Sequence, residues 1–341
     1  MTSESKILLT GATGFIGAYV LRLLLKKGYR VRALRRADSR TDLVRGVAQE
    51  VEWAEGDVTD LGALEDAFEG ITHVCHCAAM VSFHPKDVHR MMQVNVEGTA
   101  NMVNLALDFG VQKFVHVSSI AALGRAKNRP NLDEKCQWVQ GRDNSQYAIS
   151  KYLSEQEVWR GHAEGLPVAI ANPSVVLGSG YWEVGTGKMF KQVHDGLKFW
   201  SVGSTGLVDV RDVAQFLMQL LESDITGERY ILNGRNTPFR DLFFLIADEL
   251  GTRRPSVKVT PLLAEIAWRV EWLKEKLLGT EPIVTKESAR ASVSSYYYDN
   301  AKSLTVPNFS YRPLEQTVRQ TAQQFIEASK DGFGPRMLSS D

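Results

Sequence analysis

Several features that indicate particular classes of protein are missing from this chain of 341 residues. Only three cysteines are present, too few for a disulfide framework, which favours a reducing compartment. The 40 basic and 40 acidic residues cancel, so no charge excess indicates binding to nucleic acid or to an anionic membrane. No apolar run approaches the roughly 20 residues that span a bilayer. We therefore expect a cytoplasmic protein with no nucleic-acid partner and no membrane partner.

What the chain does contain is a regular alternation of short apolar runs and amphipathic segments. Lys6–Thr10 is an apolar run that ends in a Gly-rich turn, and Phe15, Tyr19 and Leu23 then recur at helical spacing. Further strands are predicted at 30–34, 51–55, 72–78, 113–117 and 167–171. Strands that alternate with helices predict a parallel sheet covered on both faces, an α/β fold of the doubly wound Rossmann type.

The alternation weakens after about residue 174. Gly-rich loops and aromatic-rich helices follow, and they predict a smaller substrate-binding domain over the carboxyl edge of the sheet, where open α/β sheets bind ligands. We expect residues 1–174 to form the main domain, with returning segments near 206–234. Residues 175–341 are expected to form mostly the smaller domain.

A glycine-rich turn links the first predicted strand to the first predicted helix. It reads Thr10-Gly11-Ala-Thr-Gly14-Phe-Ile-Gly17, with glycines at intervals of three. Gly11 permits a tight turn, Gly14 lets the backbone approach a pyrophosphate, and Gly17 allows close packing of helix on sheet. The free N–H groups of the helix N-terminus favour the anion. The turn therefore predicts a dinucleotide site, with contacts from Gly11, Thr13, Gly14, Phe15, Ile16 and Gly17.

The end of the second predicted strand bears on the choice of dinucleotide. NAD sites usually place an acidic residue there, whereas NADP sites need cationic groups. Arg36 can fork onto a 2′-phosphate, with Ser39 or Arg40 assisting. Asp38 is the counter-evidence, although it lies past the usual acidic position. The sequence favours NADP and leaves NAD possible.

Two residues after the third predicted strand are candidates for the adenine end of the same site. Asp57 is placed to accept a hydrogen bond from the adenine amino group, with Val58 behind the ring. The alternative is that Asp57 only caps a turn.

Two tyrosine–lysine pairs occur at four-residue spacing, Tyr147 with Lys151 and Tyr298 with Lys302. On a helix this spacing places both side chains on one face, where an ammonium lowers the pKa of a phenol and tunes it for proton transfer. Only the first pair follows a strand that delivers hydroxyls, at 118 and 119, to the carboxyl edge of the sheet. We interpret the first pair as catalytic and the second as a chance pair.

Six segments together resemble the extended short-chain dehydrogenase/reductase superfamily: TGATGFIG, GDVTD, NVEGT, HVSSIAALG, YAISK and LVDVRDVA. The nearest branch is that of dihydroflavonol-reductase-like proteins. The resemblance implies a catalytic trio of Ser119, Tyr147 and Lys151, where Ser119 is preferred over its neighbour because it lies five residues before Gly124. It also implies that Asn95 lies near the cofactor. Backbone contacts around the nicotinamide are implied for Ala78, Ala79, Ser118, Pro173 and Ser174.

Two departures from the family pattern narrow the range of expected substrates. Plant dihydroflavonol reductases carry an asparagine where Gly124 stands, which argues against a flavonoid. Epimerases usually carry an arginine and then an asparagine after the sixth strand, whereas this chain has IANPSVVLG, which argues against a nucleotide sugar. We expect an NADP(H)-dependent oxidoreductase acting on a small ketone, aldehyde or secondary alcohol.

Two other functions compete with this expectation. One is a sugar-nucleotide epimerase or dehydratase that retains NAD through its cycle, and the other is a cofactor-sensing regulator, which would not need the trio. Loops at 80–90, 125–146 and 180–205 are expected to shape the pocket, with aromatic residues of the last loop lining it. The oligomeric state, monomer or homodimer, stays open.

Two further patterns are discounted at this stage. His73, Cys75 and Cys77 alternate along a predicted buried strand, and we expect core packing rather than a metal site. The amphipathic stretch 262–278 is expected either to cover the substrate pocket or to lie on a membrane surface. Because it has no basic polar face, covering the pocket is favoured.

Overall fold

The computed structural model describes residues 5–124, 131–141, 144–279, 282 and 284–339. Its strands are β1 (Lys6–Thr10), β2 (Arg30–Arg35), β3 (Glu52–Glu55), β4 (His73–His76), β5 (Lys113–Val117), β6 (Asn131–Leu132), β7 (Val168–Pro173), β8 (Val175–Leu177), β9 (Phe199–Ser201), β10 (Ser204–Asp209), β11 (Glu228–Leu232), β12 (Arg235–Pro238), β13 (Val257–Val259) and β14 (Tyr297–Tyr298). Its α-helices are α1 (Phe15–Lys26), α2 (Leu61–Phe68), α3 (Val88–Met92), α4 (Gly98–Asp108), α5 (Gln146–Ala163), α6 (Gly187–His194), α7 (Val210–Glu222), α8 (Phe239–Leu250), α9 (Pro261–Leu278), α10 (Lys286–Val293) and α11 (Leu314–Lys330).

Seven strands form one parallel sheet in the order β11-β7-β5-β4-β1-β2-β3. Helices α1 and α7 cover one face, where Leu21 and Phe216 belong to one apolar core. Helices α2, α4 and α5 cover the other face, where Phe68, Met102 and Val158 belong to a second core. Parallel strands between two helical layers confirm the predicted doubly wound α/β fold.

The central strands follow the predicted pattern closely. Strands β1 and β5 begin and end at the predicted residues, whereas β4 is shorter than the predicted 72–78. The helical stretch between β4 and β5 is interrupted, because a π-helical turn, Gln93–Glu97, separates α3 from α4. That turn contains Asn95, whose side chain makes three hydrogen bonds to neighbouring segments, and π-turns occur often at functional sites.

The second half of the chain packs over one end of the sheet and also returns to it. Strand β10 pairs parallel with β8 and antiparallel with β12. Helices α6, α8 and α11 share a core that contains Trp182, Phe190 and Phe325. Strand β11 lies within the predicted returning stretch and joins the main sheet beside β7. The predicted domain boundary near residue 174 itself stays a prediction.

Helix α9 has an unusual distribution of side chains. It exposes six aliphatic residues, Leu262, Leu263, Ile266, Val270, Leu273 and Leu277. On the same helix, Glu275 Oε1 lies 3.1 Å from His84 Nε2, and this contact links α9 to the segment that follows β4. Within the described ranges, no helix is long and apolar enough to cross a membrane.

Candidate active site

The turn between β1 and α1 is built so closely that only glycines fit. Gly11 has φ of +68°, and a Cβ at this position would lie 2.8 Å from the amide nitrogen of Ala78. A Cβ on Gly17 would lie 2.1 Å from the carbonyl oxygen of Gly11. Gly14 is the N-cap of α1 and offers no side chain to the first N–H groups of that helix. A pyrophosphate can take the place of a side-chain cap, so the turn fits the predicted dinucleotide.

The other predicted members of the turn line its two sides. Thr13 and Ile16 are half-buried. The ring of Phe15 packs edge-on against Tyr19, at a centroid distance of 5.9 Å, and lies beside Gly178 and Gly180, where added Cβ atoms would meet it at 3.3 and 2.9 Å. Phe15 thus connects the turn to the loop after β8.

The segment after β2 presents an exposed guanidinium that carries a carboxylate partner. The side chain of Arg36 is 55% exposed, and its Nε donates to Asp38 Oδ1 at 3.0 Å. The amide nitrogen of Arg36 donates to Ser39 Oγ at 3.1 Å. Arg40 lies over the ring of Tyr181 at 4.0 Å. Because Arg36 and Asp38 are exposed, their pairing is weak and leaves the guanidinium free to turn toward a phosphate.

Asp57 is held by contacts within the chain. Its Oδ1 accepts from the amide and the hydroxyl of Thr59 at 3.0 and 2.8 Å, which is the turn-capping arrangement, and its Oδ2 accepts from Arg90 at 2.7 Å. Burial raises the pKa of Asp57, but the bonds from Thr59 and the charge of Arg90 outweigh burial, so the net shift is downward. Val58 is buried against Gly98, consistent with an apolar wall. An adenine contact by these two residues stays a prediction.

Asn95 fastens the segment after β4 to the helix that carries Tyr147. Its Oδ1 accepts from the amide of Met80 at 2.7 Å, and its Nδ2 donates to Met80 O at 2.9 Å and to Ser150 Oγ at 3.0 Å. Ala78 is half-buried and Ala79 is exposed in the same segment. Asn95 therefore joins the segment that contains Ala78 and Ala79 to α5, and its position near the cofactor stays a prediction.

The two adjacent serines at the end of β5 face different surroundings. Ser118 is buried, and its hydroxyl donates to Glu155 Oε2 at 2.7 Å. Ser119 Oγ accepts from the amide of Ala121 at 3.1 Å and is also a hydrogen-bonding partner of Tyr147. Of the two hydroxyls, Ser119 is the one beside the phenol. The amide of Ser118 donates to Ala171 O at 2.7 Å, and a nicotinamide contact by the Ser118 backbone stays a prediction.

Tyr147 and Lys151 lie on the first turns of α5, where Ser145 caps the helix by accepting from the amide of Ala148. Burial raises the pKa of the Tyr147 phenol, and hydrogen bonding with Ser119 acts in the opposite direction. Burial lowers the pKa of Lys151 to about 8, and its Nζ donates to Val117 O at 2.9 Å. The expected lowering of the Tyr147 pKa by Lys151 is not the dominant effect, because the ammonium is turned toward β5.

The turn after β7 lies next to both β5 and β11. Pro173 ends β7 and is buried, and the amide of Ser174 donates to Leu232 O at 2.9 Å. Asn172 Nδ2 donates to Ser119 O at 3.0 Å. The Ser174 hydroxyl is buried and has no hydrogen-bond partner among the described residues. The turn is thus adjacent to Ser119, where a nicotinamide contact was expected.

Sequence reasoning missed three side chains around this site. Phe83 packs edge-on against Tyr147 at a centroid distance of 5.9 Å and is 42% exposed. Arg90 holds Asp57, and Glu155 holds Ser118. Phe83 and Arg90 follow β4 by fewer than 20 residues in the sequence, but no local pattern marks which of them turn back to the site.

Aromatic residues of 180–205 were expected to line the pocket, and this prediction is wrong for two of them. Trp182 and Phe190 are fully buried in the core formed by α6, α8 and α11, where Trp182 packs on Phe325 at 5.1 Å. Phe199 is exposed, and Trp200 lies under Arg240 at 5.9 Å. Residues 125–130 and 142–143 of another predicted pocket loop lie outside the described residues.

Two other groups lie away from the trio. His73 and Cys75 are buried in β4, and no cluster of three or more possible metal ligands occurs in the part of the chain that the structure describes. A cleft of about 600 Å³ lies between α1 and α7, lined in part by Leu23, Met218 and Val306. Because α5 covers the opposite face of the sheet, this cleft is a different surface from the candidate site.

Comparison with known proteins gives consistent matches. The family model for the NAD dependent epimerase/dehydratase family matches residues 7–232. A Synechocystis protein named putative dihydroflavonol 4-reductase is 31% identical over 327 residues, 93% of each chain. The crystal structure of gox2253 has a TM-score of 0.82 at 33% identity, covering 96% of this chain and 99% of that one. Bordetella bronchiseptica WbmG, solved with NAD, has a TM-score of 0.74 at 21% identity over 94% of each chain, a likeness of fold alone.

Proposed function

We propose, from the premise that this chain belongs to the NAD dependent epimerase/dehydratase family, that it reduces a ketone or aldehyde with NADPH or catalyses the reverse oxidation. The chain is an NAD(P)-dependent dehydrogenase/reductase of the extended short-chain type. The choice of NADP over NAD and the chemistry of the substrate are the proposed parts.

The placement of Ser119 beside Tyr147, with Lys151 one turn further along α5, supports this proposal most directly. When bound, the nicotinamide supplies or accepts the hydride at the carbonyl carbon. In this proposal Tyr147 donates its phenolic proton to the carbonyl oxygen, and Ser119 holds that oxygen by a hydrogen bond. The Lys151 ammonium, which donates to Val117 O, turns toward the phenol in this proposal to stabilise the phenolate that remains.

Arg36 is expected to decide between the two dinucleotides. Arg36→Ala should weaken NADPH binding by about 1.5–3 kcal/mol, typical of a charge-assisted hydrogen bond, and should leave NADH binding nearly unchanged. The measurement is a fluorescence titration of each reduced cofactor into wild type and variant. Arg45→Ala is the control, because Arg45 is also an exposed arginine paired with an aspartate. Equal losses for both cofactors, or tighter binding of NADH by wild type, would overturn the NADP assignment.

The substrate is expected to be uncharged and moderately apolar rather than a nucleotide sugar. Residues 175–205 contain no arginine, and one of their lysines, Lys191, already pairs with Asp195 at 2.9 Å. Phe83 is exposed and packs edge-on against Tyr147, and Val81 is exposed two positions earlier in the chain. A diphosphate needs paired cations, and residues 175–205 offer three lysines and no arginine.

Calorimetric titration of the cofactor-bound protein with UDP- and TDP-sugars tests this substrate class. No binding tighter than about millimolar, a free energy near −4 kcal/mol, is expected. A micromolar response to any of these ligands would favour the epimerase or dehydratase reaction instead. A simple aromatic or aliphatic ketone series with NADPH is the companion assay.

A further inference from the structure

A buried carboxylate lies one turn beyond Lys151 on α5 and has no part in the proposed reaction. Glu155 is 1% exposed. Its Oε2 accepts from Ser118 Oγ at 2.7 Å and from Asn172 Nδ2 at 2.9 Å. Its Oε1 accepts from Arg229 at 2.9 Å and from Trp159 Nε1 at 3.4 Å. A group that accepts from four donors and donates to none has the pattern of a carboxylate ion.

These contacts join four elements of the fold at one point. Ser118 follows β5, Asn172 is on β7, Arg229 is on β11, and Glu155 itself is on α5. Arg229 also donates to Glu134 O at 2.9 Å and to Cys136 O at 3.0 Å. Glu155 therefore connects α5 to Ser118 after β5, to β7 and to β11, and Asn172 of this network also contacts Ser119 O.

Lys151 is buried one helical turn from Glu155, and its ammonium makes no direct salt bridge among the described residues. It is 2% exposed, and its ammonium donates to a backbone carbonyl. Burial lowers its pKa to about 8, while Glu155 and Cys77 act to raise it. The other titratable groups close by are His76 and His116, whose pKa values burial lowers, to about 3 for His76. Near neutral pH both imidazoles are uncharged, so Glu155 is the main counter-charge.

We propose that Glu155 is a positioning residue of the site, which aligns the ends of β5, β7 and β11 around Lys151 and serves as the counter-charge for its buried ammonium. A residue one helical turn away is close enough for such an effect without a direct contact. The consequence for turnover rests on the proposed function. The charge state of Lys151 does not, because it is measurable in the protein alone.

The test is a pH titration of the Lys151 ¹³Cε NMR signal in ¹³C-lysine-labelled protein, assigned by its loss in Lys151→Arg. In Glu155→Gln the titration midpoint should fall by about one pH unit, as expected for loss of a neighbouring opposite charge. In Glu155→Asp it should stay near wild type. Arg229→Gln breaks the same network but keeps the carboxylate, so its midpoint should not fall. The alkaline limb of the kcat/KM profile should move down in Glu155→Gln by the same amount.

Each outcome separates the inference from the proposed function. An unchanged midpoint in Glu155→Gln, or an equal fall in Arg229→Gln, would overturn the counter-charge role. If the midpoint shifts but neither wild type nor any variant reduces a carbonyl compound, the counter-charge role of Glu155 holds and the proposed reductase function is refuted. If Glu155→Gln does not fold, Glu155→Gln combined with Arg229→Gln removes both members of the ion pair, so Arg229 is not left unpaired, and the midpoint should still fall because the counter-charge of Lys151 is gone.

Discussion

Replacing Tyr147 by phenylalanine should lower turnover by at least about two orders of magnitude, because the variant retains the ring and loses only the proton that is transferred. Cofactor affinity should stay close to wild type, since the phenylalanine ring preserves the packing against Phe83. The measurement is steady-state kinetics with a reactive ketone, together with a separate cofactor titration. A loss in kcat without a loss in cofactor binding is the expected signature.

Tyr298→Phe provides the matched comparison. Tyr298 has the same spacing to a lysine, but it lies on β14 and is buried, and Lys302 pairs with Glu228 instead. Turnover per folded molecule should be close to wild type in this variant. Near-normal turnover in Tyr147→Phe, or a loss of equal size in both variants, would mean that Tyr147 is not the proton donor.

Gly17→Ala is expected to damage both the fold and the cofactor site. The added Cβ would lie 2.1 Å from Gly11 O and 2.7 Å from Gly11 C, both backbone atoms that cannot turn aside. Overpacking of this kind costs about 1–3 kcal/mol and exceeds the roughly 1 kcal/mol that alanine gains over glycine in a helix. The turn must shift, so we expect NADPH binding to weaken at least about tenfold, the equivalent of 1.4 kcal/mol.

Thermal unfolding and cofactor titration check the effect of Gly17→Ala. Gly62→Ala is the control, because Gly62 is also in the first turn of a helix and its Cβ would meet only Asp60 Oδ1, at 3.7 Å. That variant should be as stable as wild type or slightly more stable. A Gly17→Ala protein with wild-type melting and cofactor affinity would show that the turn tolerates a side chain.

The parts of the fold that follow from local sequence were the ones that could be predicted. β1 and β5 are continuous apolar runs, and the glycine turn shows a positive φ at Gly11 and a close approach of Gly17 to Gly11, both within its own residues. The spacing of Tyr147 and Lys151 was readable because four residues make about one helical turn. In each case the information lies within a short window of the chain.

The unpredicted features depend on residues that are far apart in the sequence. Arg90 reaches Asp57 across 33 positions, and Arg229 reaches Glu155 across 74. Trp182 was expected at the pocket because aromatic residues line many clefts, but its burial against Phe325 depends on α11, which begins more than a hundred residues later. The direction of the Lys151 ammonium likewise depends on β5. Residue types indicated chemistry here, and tertiary contacts decided which way each side chain turned.

The close packing at Gly124 limits how this site can evolve. A Cβ there would lie 1.7 Å from the carbonyl oxygen of Gln137 and 2.5 Å from its carbonyl carbon, so any side chain meets backbone at once. This backbone therefore cannot accept, by a single substitution of Gly124, the asparagine that plant dihydroflavonol reductases carry at the matching position. The segment around Gln137 and Trp138 would first have to move away from residue 124. The ring of Trp138 is stacked on Tyr152 of α5 at a centroid distance of 4.4 Å. A side chain at residue 124 therefore requires a movement of Gln137 and Trp138, and that movement reaches α5 through the stacked ring of Tyr152.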